Sequence, residues 1–551
     1  MIRFAFAALL IALPLPVFAA DTRPNILLIV AEDMSAHIGA FGDTVAKTPA
    51  LNALSAQGTN FPNAYTTSGV CAPSRAGLIT GVHQVALNAQ HMRTSAPFPG
   101  VGNGGPMNYE AVPPAHIKAF PELLRAQGYY TYNVTKTDYQ FGDPFTIWDR
   151  NAGSAHWRDR PNADQPFFGM VNLMSTHESG LFAQTGWPRS ALHFAMQLVL
   201  WQRFKDFEDV VTPAEVHVPP YYPDTPQVRA TLAQLQNNVA FMDGEVQALL
   251  AQLEEDGLAD NTIVIFTTDH GDGLPRGKRT LYDLGIRVPV IVRWPANLRP
   301  DQEPQGTWRH DIVSFIDFAP TLLKLAGATP LPYMAGRVFL GDDPAPPPQF
   351  VHSAIDRVDE HAQRSRAVTD GRYKLIADFI IDAPQLLSLG FRNNLAMMDD
   401  LYEVKAQGGF AGDGGLYDDT RPARQLFDTK IDPHEINNLA GHPDYAKIEQ
   451  ALEAELHRWM VELGDEGMPE REMIAQHWPN MEQPETAAPI FTQSGEWFVL
   501  TSETKGASIG WRIGEGAWQL YTQPIAAQKG VEAKAIRYGY KESSVSTFTV
   551  P

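Results

Sequence analysis

Cysteine is nearly absent: Cys71 is the one thiol in 551 residues. That count alone excludes a disulfide framework within the chain and a thiolate metal cluster. Basic residues are also in deficit, with 43 Lys and Arg against 63 Asp and Glu and a net charge of −20. Such a chain lacks the basic face of a general nucleic-acid binder, so an anionic ligand would need a local basic pocket. Beyond the first twenty residues no apolar run is long enough to span a bilayer, and there is no internal repeat or low-complexity tract. A hydrophobic share of 44% with 19% charged residues is that of a folded protein, and the length suits two or three domains.

The first twenty residues carry an address. Arg3 precedes an apolar run from Phe4 to Phe18, and Val17-Phe18-Ala19-Ala20 supplies small residues for cleavage. This predicts a signal peptide over residues 1–20, export to the periplasm or outside the cell, and no membrane span afterwards. The run is short for an anchor and is broken by Pro14 and Pro16. In an exported protein a single thiol is buried, paired with another chain, or used in chemistry.

Three apolar runs each end in a polar cluster. Asn25 to Val30 leads into Glu32-Asp33, Phe167 to Met174 into Ser175-Thr176-His177-Glu178, and Thr262 to Thr268 into Asp269-His270. Continuous apolar runs are the pattern of strands buried on both faces of a parallel sheet, and Val288 to Val292 adds a fourth. Between them, Val228, Leu232, Leu235, Val239, Met242, Val246, Leu249 and Leu253 mark one face of a long helix that Gly257 stops. Helices alternating with buried strands predict an α/β layered domain with a large, mainly parallel sheet. Ligands of such folds sit beyond the carboxyl ends of the strands, where the three clusters would meet.

After about residue 340 the texture changes. Pro344 to Pro348 breaks the chain, shorter alternating stretches such as Tyr373 to Ile376 follow, and a helical pattern runs from Ala446 to Leu463. Residues 478–489 read as a linker, with Pro479, Pro484 and Pro489, and the remainder as short strands and turns. The expected organisation is a signal peptide over 1–20, a catalytic domain over 21–340, a smaller α+β subdomain over 341–477 and a small β-sandwich appendage over 490–551.

Cys71 stands in Ser68-Gly69-Val70-Cys71-Ala72-Pro73-Ser74-Arg75, with Leu78-Ile79-Thr80-Gly81 close behind. This stretch resembles the signature of the type I sulfatases of the alkaline phosphatase superfamily, and the resemblance extends over most of residues 24 to 440. It implies an alkaline-phosphatase-like fold and a cysteine converted after translation, by a maturase, to formylglycine, whose hydrate is the nucleophile. Carried over position by position, it implies Cys71 as the modified residue, Arg75 beside it, and Lys136 and Lys278 as sulfate-binding lysines. His177 would protonate the leaving oxygen. Glu32, Asp33, Cys71, Asp269 and His270 would hold one divalent cation, calcium first and magnesium next by the oxygen-rich ligands, with manganese or another transition metal left open by the imidazole. Position 138, usually histidine in the family, is Asp138 here.

The physical logic agrees with the resemblance. One hydroxyl of a hydrated aldehyde attacks sulfur, and deprotonation of the other expels sulfate as the carbonyl re-forms, a collapse that a plain thiol cannot perform. The ester would be that of a sulfated carbohydrate, since the tail around Gly506 to Ile513 resembles the small β-domain ending some hexosaminidases. Trp511 and Trp518 there are open to sugar stacking or to core packing. Gln425 to Asp428 and Asp432 to Ala440 resemble the sulfatase carboxy-terminal subdomain. The stretches His91-Met92-Arg93 and Arg357 to His361 are either pocket lining or ordinary surface. Two other readings stand beside this one: a phosphonate or phosphate diester hydrolase of the same superfamily, and a non-catalytic carbohydrate-binding relative whose site has decayed at position 138.

Overall fold

The apolar runs form the centre of a nine-stranded sheet. In a computed structural model, which describes residues 23–92, 94 and 105–548, the strands are β1 (Asn25–Ala31), β2 (Thr59–Tyr65), β3 (Tyr130–Val134), β4 (Arg150–Asn151), β5 (Phe167–Leu173), β6 (Thr262–Thr268), β7 (Arg287–Arg293), β8 (Thr307–Trp308) and β9 (Val313–Ser314). The signal peptide expected over residues 1–20 lies outside the described residues. The order is β4-β3-β5-β1-β6-β7-β2-β8, with β9 also paired to β2. All strands run one way except β7, which is antiparallel to both β6 and β2. The fourth apolar run is therefore a core strand, but reversed. No helix of the described residues is long and apolar enough to cross a membrane.

Alternation along β1 divides the core. Ile26, Leu28 and Val30 pack with Ala76, Leu78 and Ile79 of the helix Cys71–Thr80 and with Phe318 and Leu322 of the helix Phe318–Leu325. Leu27 and Ile29 pack on the opposite face with Val239, Met242 and Val246 of the helix Pro226–Glu255. That helix covers the predicted heptad-like face; the Thr225 side chain caps it and Gly257, at φ +66°, follows its end.

A second sheet is antiparallel throughout: β10 (Val351–Ile355), β11 (Ser365–Thr369), β12 (Tyr373–Asp378) and β13 (Arg424–Asp428). The helix Ala446–Leu463 covers one face through Leu452, Leu456 and Trp459, while Ala367, Ile376 and Phe427 face Val70 and Tyr282 of the first unit. Two small sheets close the chain. One contains β14 (Ile490–Ser494), β15 (Trp497–Thr501) and β18 (Ile525–Ala526). The other contains β16 (Ser508–Ile513), β17 (Gln519–Leu520), β19 (Val531–Ile536) and β20 (Ser546–Thr547). They enclose a core of Phe498, Leu500, Ile509, Val531 and Ala533. The stretch 478–489 is pinned rather than loose, for Trp478 is buried against Tyr109 and Thr486 bonds the backbone at Lys541 and Arg537.

Candidate active site

Register places three strand ends level. Ala31 of β1 pairs with Leu173 of β5 on one side and Thr268 of β6 on the other. The residues that follow, Glu32-Asp33, Ser175 to Glu178 and Asp269-His270, therefore emerge together at one rim. Two further bonds extend the ladder past the strands, from the Glu32 amide to the Leu173 carbonyl at 3.1 Å and from the Asp269 amide to the Ala31 carbonyl at 3.0 Å.

The helix Cys71–Thr80 delivers the thiol to this rim. All ten of its residues are buried, which small side chains at Ala72, Ser74, Ala76 and Gly77 permit. Pro73 sits in the first turn, where a missing amide costs no helical bond. The turn before it is held close: a Cβ on Gly69 would stand 2.0 Å from the Thr280 carbonyl oxygen. Cys71 Sγ ends 3.2 Å from His270 Nε2 and 3.7 Å from Asp33 Oδ1.

One turn on, Arg75 is fully buried and spends each end of its guanidinium on a partner. It donates to Glu32, to Asp269 Oδ2 at 3.2 Å and to Asn172 Oδ1 at 2.7 Å. Lys136 donates to Glu32 Oε2 at 2.5 Å and lies 3.7 Å from Asp269 Oδ2; Lys278 donates to Asp33 Oδ2 at 2.6 Å. Three cations thus interleave with three carboxylates around one sulfur atom. Burial pushes Glu32 up to about 7 against the pull of Arg75, and Asp33 is held low, despite its burial, by Lys278.

His270 brings an imidazole into the cluster. Its Nδ1 faces the Gly271 carbonyl at 2.8 Å, an oxygen that can only accept, so Nδ1 carries a proton and Nε2 is left to face Asp33 Oδ1 at 3.0 Å. Burial opposes its protonation, yet Asp269 and its neighbours lift His270 to about 10. Donor atoms of Glu32, Asp33, Cys71 and His177, and of Asp33, Cys71, Asp269 and His270, fall in two overlapping groups within 4.8 Å. Each group, carboxylates with one imidazole and the sulfur, has the donor chemistry of a divalent-cation site.

His177 stands at the edge of the same cluster, with Nε2 3.9 Å from Asp33 Oδ2. Its Nδ1 accepts the Ser179 amide at 3.3 Å, so the neutral ring points an N–H toward the cluster. Burial lowers its pKa to about 3, with Lys278 and Lys136 acting in the same direction against Asp33. Asp138, in the left-handed region at φ +58°, stands a third exposed at the rim, 3.7 Å from Lys136 Nζ. All the sequence-derived candidates therefore share one locality; Asp138 is the outermost.

Four further residues support the cluster and escaped the sequence reading: Asn172, Glu178, Arg279 and Arg392. Glu178 is buried, takes Arg279 Nη1 at 2.9 Å and Arg392 Nε at 3.3 Å, and lies 3.8 Å from Lys278. Its own amide donates to Asp33 Oδ2 at 2.8 Å. Arg279 also bonds Asp359 Oδ2 at 2.6 Å, tying the Arg357 to His361 stretch to the site. A charged residue adjoining His177 was the available signal, but its partner lies 101 residues away in the chain.

The chain is similar to known sulfatases over most of its length. The sulfatase family model matches residues 24–328, and that of the N-sulphoglucosamine sulphohydrolase C-terminal region matches 276–406. An ulvan-active sulfatase of Formosa agariphila is 39% identical over 548 residues, covering 95% of this chain and 90% of the relative. The human N-sulphoglucosamine sulphohydrolase is 27% identical over 484 residues, covering 80% and 91%. Among solved structures, a 2-O GAG sulfatase superposes with a TM-score of 0.55 at 19% identity, covering 80% of this chain and 93% of that one. The chain belongs to the sulfatase family of the alkaline phosphatase superfamily and is a sulfuric ester hydrolase.

Proposed function

We propose that this enzyme is exported and removes sulfate from a sulfated carbohydrate, with formylglycine made from Cys71 by a maturase as the nucleophile. The observation that carries the reading is the position of Cys71 Sγ, buried 3.2 Å from His270 Nε2 within the ring of Arg75, Lys136 and Lys278. The sugar follows from the relatives: the ulvan-active sulfatase and the N-sulphoglucosamine sulphohydrolase are both named for sulfated saccharides.

In this reading Glu32, Asp33, Asp269 and His270, with the converted residue 71, hold one divalent cation, calcium before magnesium or manganese. Such a cation lowers the pKa of a hydroxyl and neutralises sulfuryl oxygens. Lys136 and Lys278 orient the sulfuryl group, and Arg75 fixes Glu32 and Asp269. One hydroxyl of the hydrate attacks sulfur as the sulfur–oxygen bond to the sugar breaks; His177, whose N–H faces the cluster, gives its proton to the departing oxygen, which leaves as the sugar hydroxyl, and regains one from the attacking hydroxyl. The second hydroxyl then loses its proton, the carbonyl re-forms, and sulfate leaves with the attacking oxygen. Asp138 lies at the position of the family histidine that assists this deprotonation, and its carboxylate takes the same part. Residues 21–340 form the catalytic unit in this scheme, with 341–477 and 490–551 as its companions.

The test is the mass of the Cys71 peptide from the native host, paired with sulfate release from a panel of sulfated saccharides. Formylglycine with sulfate release is expected. Unmodified cysteine in protein that nevertheless releases sulfate would overturn the nucleophile, and faster turnover of phosphate diesters than of sulfate esters would overturn the reaction.

A further inference from the structure

A cavity of about 560 Å³ lies behind the catalytic rim, between residues 36–45, the loop 216–222, the helix Pro226–Glu255 and residues 433–435. None of its lining residues belongs to the Cys71 cluster. Val45, Val216, Leu232 and Leu235 make part of the wall apolar, and Tyr221 and Tyr282 add aromatic faces. Exposed His217 and Thr44 meet at its mouth, 3.3 Å apart.

Two polar atoms in this wall are buried without a partner: Arg276 Nε, a donor, and Gln236 Oε1, an acceptor. Both side chains are otherwise committed. Arg276 donates Nη1 to the Gly414 carbonyl at 3.1 Å and Nη2 to the Glu435 carbonyl, and its guanidinium lies 4.0 Å from the Tyr282 ring centre. Gln236 Nε2 donates to Asp43 Oδ2 at 3.0 Å. A buried polar atom left unpaired is costly, so a ligand that satisfies both would be favoured.

The chemistry of the wall narrows that ligand. Both Nη atoms of Arg276 already serve backbone carbonyls, so Nε is its one nitrogen without a partner, and a two-pronged clamp on a sulfate or carboxylate would have to share an occupied nitrogen. Asp43, Asp272 and Glu435 also line the cavity, the first two paired with His37 at 2.8 Å and the third with Lys374 at 2.5 Å, so the wall has no excess of positive charge to hold an anion. A purely apolar ligand would leave both orphan atoms unpaired. A hydroxyl group both donates and accepts, and the C–H face of a neutral sugar matches a tyrosine ring. We propose that this cavity is a second ligand site, separate from the Cys71 cluster, that takes an uncharged sugar of monosaccharide size.

The inference does not depend on the catalytic reading, and the experiment separates them. Calorimetric titration of the full-length protein with galactose, glucose, rhamnose and xylose, each with and without saturating sodium sulfate, is compared with titration of sulfated galactose. Binding of at least one neutral sugar, unchanged by sulfate, is expected, whereas binding of sulfated galactose at the Cys71 cluster should weaken as sulfate is added. Val216→Trp, which fills the cavity, should reduce affinity by about tenfold or more, and Gln236→Leu by about fivefold, while both retain aryl sulfate hydrolysis. Gln236→Leu guards against failure of the larger substitution to fold. Absence of binding by all four sugars, or binding that sulfate abolishes and both variants keep, would overturn the second site without touching the assignment of the first.

Discussion

Arg75 is the residue on which the charge balance turns. It is fully buried and joins carboxylates from two strand ends to Asn172 on a third. Removing one partner of a buried ion pair strands the others in low dielectric, at about 3–5 kcal/mol. Arg75→Ala is therefore expected to lower stability by about that amount in denaturant unfolding and to abolish sulfate release. In the proposed mechanism Lys278 orients the sulfuryl group, so Lys278→Ala is expected to lower kcat/KM by about a hundredfold or more in steady-state kinetics. A buried histidine far from the site sets an acid limit. His83 is packed edge-on to Trp459, and burial, then the neighbouring His352, lowers its pKa to about 3. The folded protein keeps His83 neutral while the unfolded chain protonates near pH 6.5, so stability present above that value is lost as pH falls from about 6.5 toward 3, at about 1.4 kcal/mol per unit from this group. Denaturant titrations at several pH values should show a shallower loss for His83→Phe.

At the scale of elements, the site depends on backbones that touch. The Gly271 amide donates to the Gly285 carbonyl at 2.9 Å, and a Cβ at position 271 would stand 1.9 Å from the Leu284 carbonyl oxygen. No side chain can be moved aside to relieve that contact, so the strand end carrying Asp269 and His270 must shift. Gly271→Ala should destabilise by about 1–3 kcal/mol and cost activity beyond what that loss explains, measured at a temperature where the variant remains folded. The large elements were legible in the chain because their patterns are local. Continuous apolar runs predict buried strands, and β1, β5 and β6 start or end within a residue or so of the runs at Asn25, Phe167 and Thr262. The reversed direction of β7 was not legible, since a buried strand has the same composition either way. The standing of Asp138 at the rim depends on a left-handed turn that no spacing announces.

For the whole molecule, the terminal β unit is fastened to the unit built on the nine-stranded sheet. The Tyr538 hydroxyl accepts the Ala119 amide at 3.2 Å and donates to Glu122 Oε2 at 2.8 Å, while its ring stacks on Phe141 with centres 5.1 Å apart. Ser508 bonds Glu122, and Arg125 Nη2 bonds the Trp518 carbonyl at 3.1 Å. Tyr538→Phe leaves a buried carboxylate and an amide each short of one bond, and a loss of about 1–3 kcal/mol is expected by thermal or denaturant unfolding.

The chain by itself determined what short-range chemistry can encode. The motif around Cys71, the acidic and histidine clusters after apolar runs and the amphipathic helix Pro226–Glu255 all follow from neighbours within a few turns or strand lengths. Tertiary structure alone decided which charges meet. Glu178 finds Arg279 across 101 residues and Arg392 across 214, and Arg276 with Gln236 comes to line one cavity. Those encounters depend on strand order, register and crossover packing, and Coulomb forces and desolvation act on distance in space rather than along the chain.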